Sequence, residues 1–69
     1  MMLTNEEFAI RLKNRLKEKN ITQSELARRI DVSDTTISRY ITGTARPRTL
    51  LLNRIAVVLD CSVIYFLCK

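Results

Sequence analysis

Sixty-nine residues, 46% of them hydrophobic and 28% charged, fit one small domain over 1–69, because so short a chain cannot divide its apolar residues between two cores. Twelve Lys and Arg against seven Asp and Glu leave a net charge of +5, which favours polyanionic partners, nucleic acid first and an anionic membrane surface second. With no histidine, no CxxC pair, no glycine-rich phosphate loop and no cluster of carboxylates, the chain offers no metal site or cofactor motif and nothing that speaks for an enzyme.

Cys61 and Cys68 are the two cysteines, expected as small, buried or half-buried apolar side chains rather than a disulfide. No apolar run approaches the length of a membrane span, and the opening MMLTNEE is acidic, so the expected location is the cytoplasm.

One glycine, Gly43, and one proline, Pro47, are the strong helix breakers, and they fall in a single short window. The rest predicts an all-α chain, in which Thr, Ser and Asn mark the caps. Thr4 with Glu7 is a capping-box pattern, so the first helix is expected over 5–19. Phe8, Ala9, Leu12 and Leu16 form its apolar stripe, and Arg11, Lys13, Arg15, Lys17 and Lys19 its solvated face. Asn20 suits the left-handed residue that ends it. Thr22 with Glu25 repeats the capping box, and a second helix is expected over 23–30 with Leu26, Ala27 and Ile30 inward.

Asp31-Val32-Ser33 leaves room only for a turn, with Asp31 in left-handed geometry and Ser33 capping a third helix over 34–42. Its inward set is Ile37, Tyr40 and Ile41, and Gly43 stops it. Two short helices around a tight turn make a helix-turn-helix, whose second helix meets the major groove of DNA. The loop TARPR, 44–48, is extended and basic. A fourth helix is expected over 49–59, with Leu50, Leu51, Ile55, Ala56 and Leu59 inward, and a fifth over 63–67, capped by Ser62.

The motif Gln23-x-x-x-Ala27, then Val32-Ser33, Ile37-Ser38-x-Tyr40, Gly43 and Arg46-Pro47, resembles the lambda-repressor/Cro-type (XRE-type) helix-turn-helix family, over about Arg11 to Leu67. The resemblance implies a compact five-helix bundle that binds a two-fold, palindromic operator in double-stranded DNA as a homodimer. The function it implies is that of a prokaryotic or phage transcriptional regulator, a repressor by expectation. On that footing Asp34, Thr35, Ser38 and Arg39 are the expected base-reading residues, with Arg39 suited to guanine O6 and N7. Asp34 is read evenly as a base contact or as local scaffolding, because phosphates repel a carboxylate. Gln23, Ser33, Thr42, Thr44, Arg46 and Arg48 are the expected phosphate contacts.

Leu16 and Ile41 stand where many relatives carry a buried ion pair, so packing is expected to replace charge there. The closing SVIYFLCK is too apolar for every side chain to turn inward. Ile64, Tyr65, Leu67 and Cys68 are therefore the expected dimer or partner surface. The competing reading is an antitoxin-type, protein-binding module that docks its partner through this segment. A membrane-surface role is disfavoured by the acidic start, and no small-molecule ligand is expected.

Overall fold

The computed structural model describes residues 1–68. Four α-helices follow one another: α1 (Asn5–Lys19), α2 (Gln23–Arg29), α3 (Asp34–Thr42) and α4 (Thr49–Val58), and a 3-10 turn, Val63–Phe66, closes the chain. The described part is all-helical, but it has four α-helices rather than the expected five. Ser62 does cap the closing segment, accepting from the Ile64 N–H at 3.2 Å. Its bonds then run i to i+3, from Tyr65 N–H to the Ser62 carbonyl and from Leu67 N–H to the Ile64 carbonyl. The α-helix is not continued because the chain is drawn away: Cys68 pairs antiparallel with Met2, and Leu3 donates its N–H to the Leu67 carbonyl at 2.8 Å.

The start of α1 is the complete capping box, with Thr4 Oγ1 accepting from Glu7 N–H at 3.1 Å and Glu7 Oε1 accepting from Thr4 N–H at 2.8 Å. The second box is only half made. Thr22 Oγ1 caps Glu25 N–H at 3.1 Å, but the Glu25 carboxylate turns to Arg28 and Arg29 instead of reaching back. Asn20, Asp31 and Asp60 take positive φ of 56°, 59° and 54°, and Gly43 takes 80°, so each break is a left-handed residue. Asp31 supplies that geometry without glycine, as the turn requires.

The core gathers one stripe from every helix. Phe8 sits fully buried at its centre, edge-on to Tyr40 at 6.3 Å and to Phe66 at 5.6 Å between ring centroids. Through it α1 packs on both α3 and the closing turn, while α2 packs on α3 and α4. Leu16 is buried in this cluster and Ile41 lies half-buried against it. The expected inward face of α4 needs a correction. Leu52, Ile55, Ala56 and Leu59 are buried, whereas Leu50 is 69% exposed. Positions 52, 55, 56 and 59 follow the i, i+3, i+4, i+7 rule, which puts Leu50, Asn53, Arg54 and Val57 on the opposite face.

Candidate nucleic-acid interface

The turn between α2 and α3 is short because the two helix starts are tied to each other. Gln23, in the first turn of α2, donates its side-chain amide to the Asp34 carbonyl at 3.1 Å. Ser24 Oγ donates to the Asp34 carboxylate at 3.0 Å. Ala27 and Leu26 are buried beneath, and the small Ala27 side chain lets the helices approach. Asp34 therefore bridges the two helices, through its backbone carbonyl to Gln23 and its carboxylate to Ser24. Its charge also stands at the N-terminus of α3, where the helix dipole favours an anion.

Ser33 caps α3, its Oγ accepting from Thr36 N–H at 3.2 Å and lying 3.0 Å from Thr36 Oγ1. Beyond this cap Thr35 and Arg39 are exposed and Ser38 half-buried, with Ile37 and Tyr40 turned to the core. These three form one outward strip at i, i+3 and i+4. Among the described residues, no hydrogen bond or ion pair holds the Arg39 guanidinium, so it is free to meet an acceptor. Thr42 and Thr44 wrap the helix end: both hydroxyls donate to the Arg39 carbonyl, at 3.2 and 3.1 Å, and lie 3.2 Å from each other. Thr44 N–H reaches the same carbonyl at 3.0 Å.

The loop that follows divides its two arginines. Arg48 is exposed and begins α4 with no side-chain cap bond, which leaves the first N–H groups of that helix without a side-chain partner. Arg46, expected on phosphate, turns inward: its Nη2 donates to the carbonyls of Leu3 and Thr4, and its guanidinium lies 5.7 Å from the Phe8 ring centroid. Pro47 between them is buried.

The expected solvated face of α1 also needs correcting at two positions. Arg11 Nη1 donates to the carbonyls of Tyr65 and Cys68 at 2.6 and 3.0 Å and stacks over the Tyr65 ring at 5.1 Å. Arg15 donates to the carbonyls of Leu59 and Asp60 at 2.9 and 2.7 Å, satisfying the open end of α4. Arg28 and Arg29 share Glu25, at 2.5 and 2.7 Å, and this double pairing holds the Glu25 carboxyl below the usual carboxylate range. What sequence reasoning missed is Arg54. It stands on the outward face of α4 and, with Arg48, Leu50 and Tyr40, lines a groove of about 470 Å³ beside the loop. The signal was available in the phase of α4, since position 54 falls opposite 52, 55 and 59.

In the closing segment Ile64 is 62% exposed, while Tyr65, Leu67 and Cys68 are half-buried. Both cysteines are free, and burial pushes the Cys61 thiol up from its ordinary range. Among the described residues, no three His, Cys, Asp or Glu side chains are placed to hold a metal ion. No described helix is long and apolar enough to cross a membrane.

A family profile described as Helix-turn-helix, HTH_3, matches residues 12–66. No curated protein matches at a significant level. Among solved structures, an HTH_3 family transcriptional regulator from Vibrio cholerae is 25% identical at a TM-score of 0.80, over 91% of this chain and 35% of that one. Apo-HppE is 25% identical at a TM-score of 0.82, over 99% of this chain and 37% of that one. CoII HppE in complex with substrate superposes at a TM-score of 0.86 with 24% identity, over 97% of this chain and 38% of that one, a likeness of fold alone. The chain thus spans little more than a third of the length of each of these structures.

Proposed function

This chain belongs to the HTH_3 helix-turn-helix family, and on that premise we propose that it binds double-stranded DNA sequence-specifically as a transcriptional regulator, with repression as its mode. In this reading α3 enters the major groove. Thr35, Ser38 and Arg39 meet base edges, and Asp34 orients the helix start from beside them. Gln23, Ser33, Thr42, Thr44 and Arg48 flank that strip and serve phosphate, with Arg54 added from α4.

The observation that carries the reading is the division of charge on this side of the molecule. Arg39, Arg48 and Arg54 have no partner among the described residues, whereas the nearby carboxylates of Asp34 and Glu25 are both engaged. Unpaired cations, with Glu25 offset by two arginines and Asp34 held by a hydroxyl, suit a polyanion's backbone. Binding as a homodimer on a palindromic operator is part of the same proposal, with Ile64, Tyr65, Leu67 and Cys68 as the pairing surface. The substrate and cobalt of the HppE structures are not carried over, since this chain matches less than two fifths of those chains.

Selection from a random duplex pool tests the reading. The expected result is an enriched site of two related half-sites about one helical turn apart. Arg39→Ala is expected to relax discrimination at one base position per half-site by about 1–3 kcal/mol. A pool that stays unenriched, or an Arg39→Ala protein that selects the same site, overturns it. The exposed apolar side chains Leu50, Val57 and Ile64 favour a second reading, a protein-docking module of the same fold. An unenriched pool together with a tight, salt-insensitive protein partner would favour that one instead.

A further inference from the structure

The N-terminal segment before α1 lies between the loop after the reading helix and the end of the chain. Leu3 is 3% exposed, and its N–H bonds the Leu67 carbonyl. Its carbonyl, and that of Thr4 at 3.1 Å, accept from Arg46 Nη2. Arg46 is half-buried and stacks on the ring of Phe8, the centre of the core. Its Nε–H is buried with no acceptor. A few residues earlier, Gly43 runs beside the first turn of α1, where an added Cβ would stand 3.5 Å from Glu6 Cα. Residues 3–6, none of which is itself an expected DNA contact, thus hold the loop at Arg46 and run beside it at Gly43.

We propose that Arg46 is a positioning residue rather than a phosphate contact: with the Leu3 and Thr4 carbonyls it forms a clasp that sets where Arg48 and the end of α3 meet DNA. The proposal rests on the DNA-binding reading above. Turning Arg46 out to a phosphate would break two charge-assisted bonds and strip the ring of Phe8 of its cation, leaving the buried Leu3 carbonyl without this donor. The clasp also depends on arginine's shape. A planar guanidinium can bridge adjacent carbonyls while lying over a ring, and a lysine ammonium cannot do both. A phosphate contact, by contrast, needs only the charge.

That difference makes the test. Affinity for random-sequence duplex DNA is measured over a salt series for the wild type, Arg46→Lys, Arg46→Ala and Arg48→Ala. Hydrogen exchange of the Thr44 amide, bonded to the Arg39 carbonyl, is measured in the free proteins. Arg48→Ala is expected to lower the salt slope by about one phosphate. Arg46→Lys and Arg46→Ala should both weaken binding about tenfold at an unchanged slope, with faster exchange at Thr44.

Wild-type affinity in Arg46→Lys, or a slope that falls by about one in Arg46→Ala, overturns the proposal. So does Thr44 exchange that is the same in all four proteins. If Arg46→Ala fails to fold, Arg46→Lys keeps charge and chain length and decides alone. If the wild type binds no duplex DNA, the functional reading falls, while the exchange measurement still decides whether the clasp holds the loop.

Discussion

The scaffold of α1, α4 and the closing turn and the proposed reading unit of α2 and α3 both carry arginine, and they place it in different ways. In the scaffold, Arg11 and Arg15 lay their guanidinium groups on four backbone carbonyls at the ends of α4 and of the chain. There the cation replaces the missing next turn of helix, and its charge answers the negative end of the dipole. In the reading unit, neutral amide or hydroxyl groups tie the two helix starts through Asp34, Arg28 and Arg29 pair with Glu25 within α2, and Arg39 is left without a partner among the described residues. A small domain with a net charge of +5 thus keeps part of that charge for its own stability. Net charge alone overstates how much of the surface is available to DNA.

The comparison breaks most completely if its common support is removed. Phe8→Ala deletes the ring that touches both Tyr40 of α3 and Phe66 of the closing turn. The expected loss is about 3–5 kcal/mol, which approaches the whole stability of a domain this small. Urea denaturation followed by circular dichroism should show the variant largely unfolded in buffer. A variant that keeps its midpoint would mean that the two halves do not share one core.

Arg15→Ala probes the scaffold half alone. Removing the donor leaves the Leu59 and Asp60 carbonyls to find other partners, and the expected cost is about 1–3 kcal/mol. Lys19, 3.3 Å from the Asp60 carboxylate, retains its ion pair. The measured contrast is what matters here. Stability should fall in chemical denaturation, while the salt slope for DNA stays at the wild-type value. A lower slope would place Arg15 among the phosphate contacts and erase the distinction between the two halves.

Most of the helix pattern was legible in the chain because caps and apolar periodicity are local properties. Thr4, Thr22 and Ser33 each cap the helix they precede, and Asp31 takes the left-handed turn. The reading of α4 fails at one position, because the run Leu50-Leu51-Leu52 offers three phases and Leu52, not Leu50, faces the core. Ile55, Ala56 and Leu59 fix the phase only when Leu52 is taken as their partner. The closing helix failed for a non-local reason, since Met2 and Leu3 bind the strand-like end of the chain from the other terminus. Arg11, Arg15 and Arg46 look in sequence like any basic surface residue. Their carbonyl partners lie more than 40 positions away, at |i−j| of 54, 44 and 43, and no periodicity reports them.

The smallest expected effect lies inside the reading unit, at Glu25. Its carboxylate takes bonds from both Arg28 and Arg29, and the side-chain bond from Arg28 is the first cause of its lowered pKa. A depressed folded pKa means that the unfolded chain binds its proton first as pH falls. The pair therefore stabilises the fold above the unfolded carboxylate pKa, and that contribution disappears as pH drops through the lower, folded value. Glu25→Gln should be slightly less stable than the wild type at pH 7, and the two should converge in strong acid. A thermal-melt series over pH checks this sign, and a gap that widens toward acid would contradict it. Freed of Glu25, Arg28 and Arg29 become available cations beside α3. Non-specific DNA affinity should then rise with a steeper salt slope, without change at the base position proposed for Arg39. That outcome would show that Glu25 holds α2's two arginines back from phosphate.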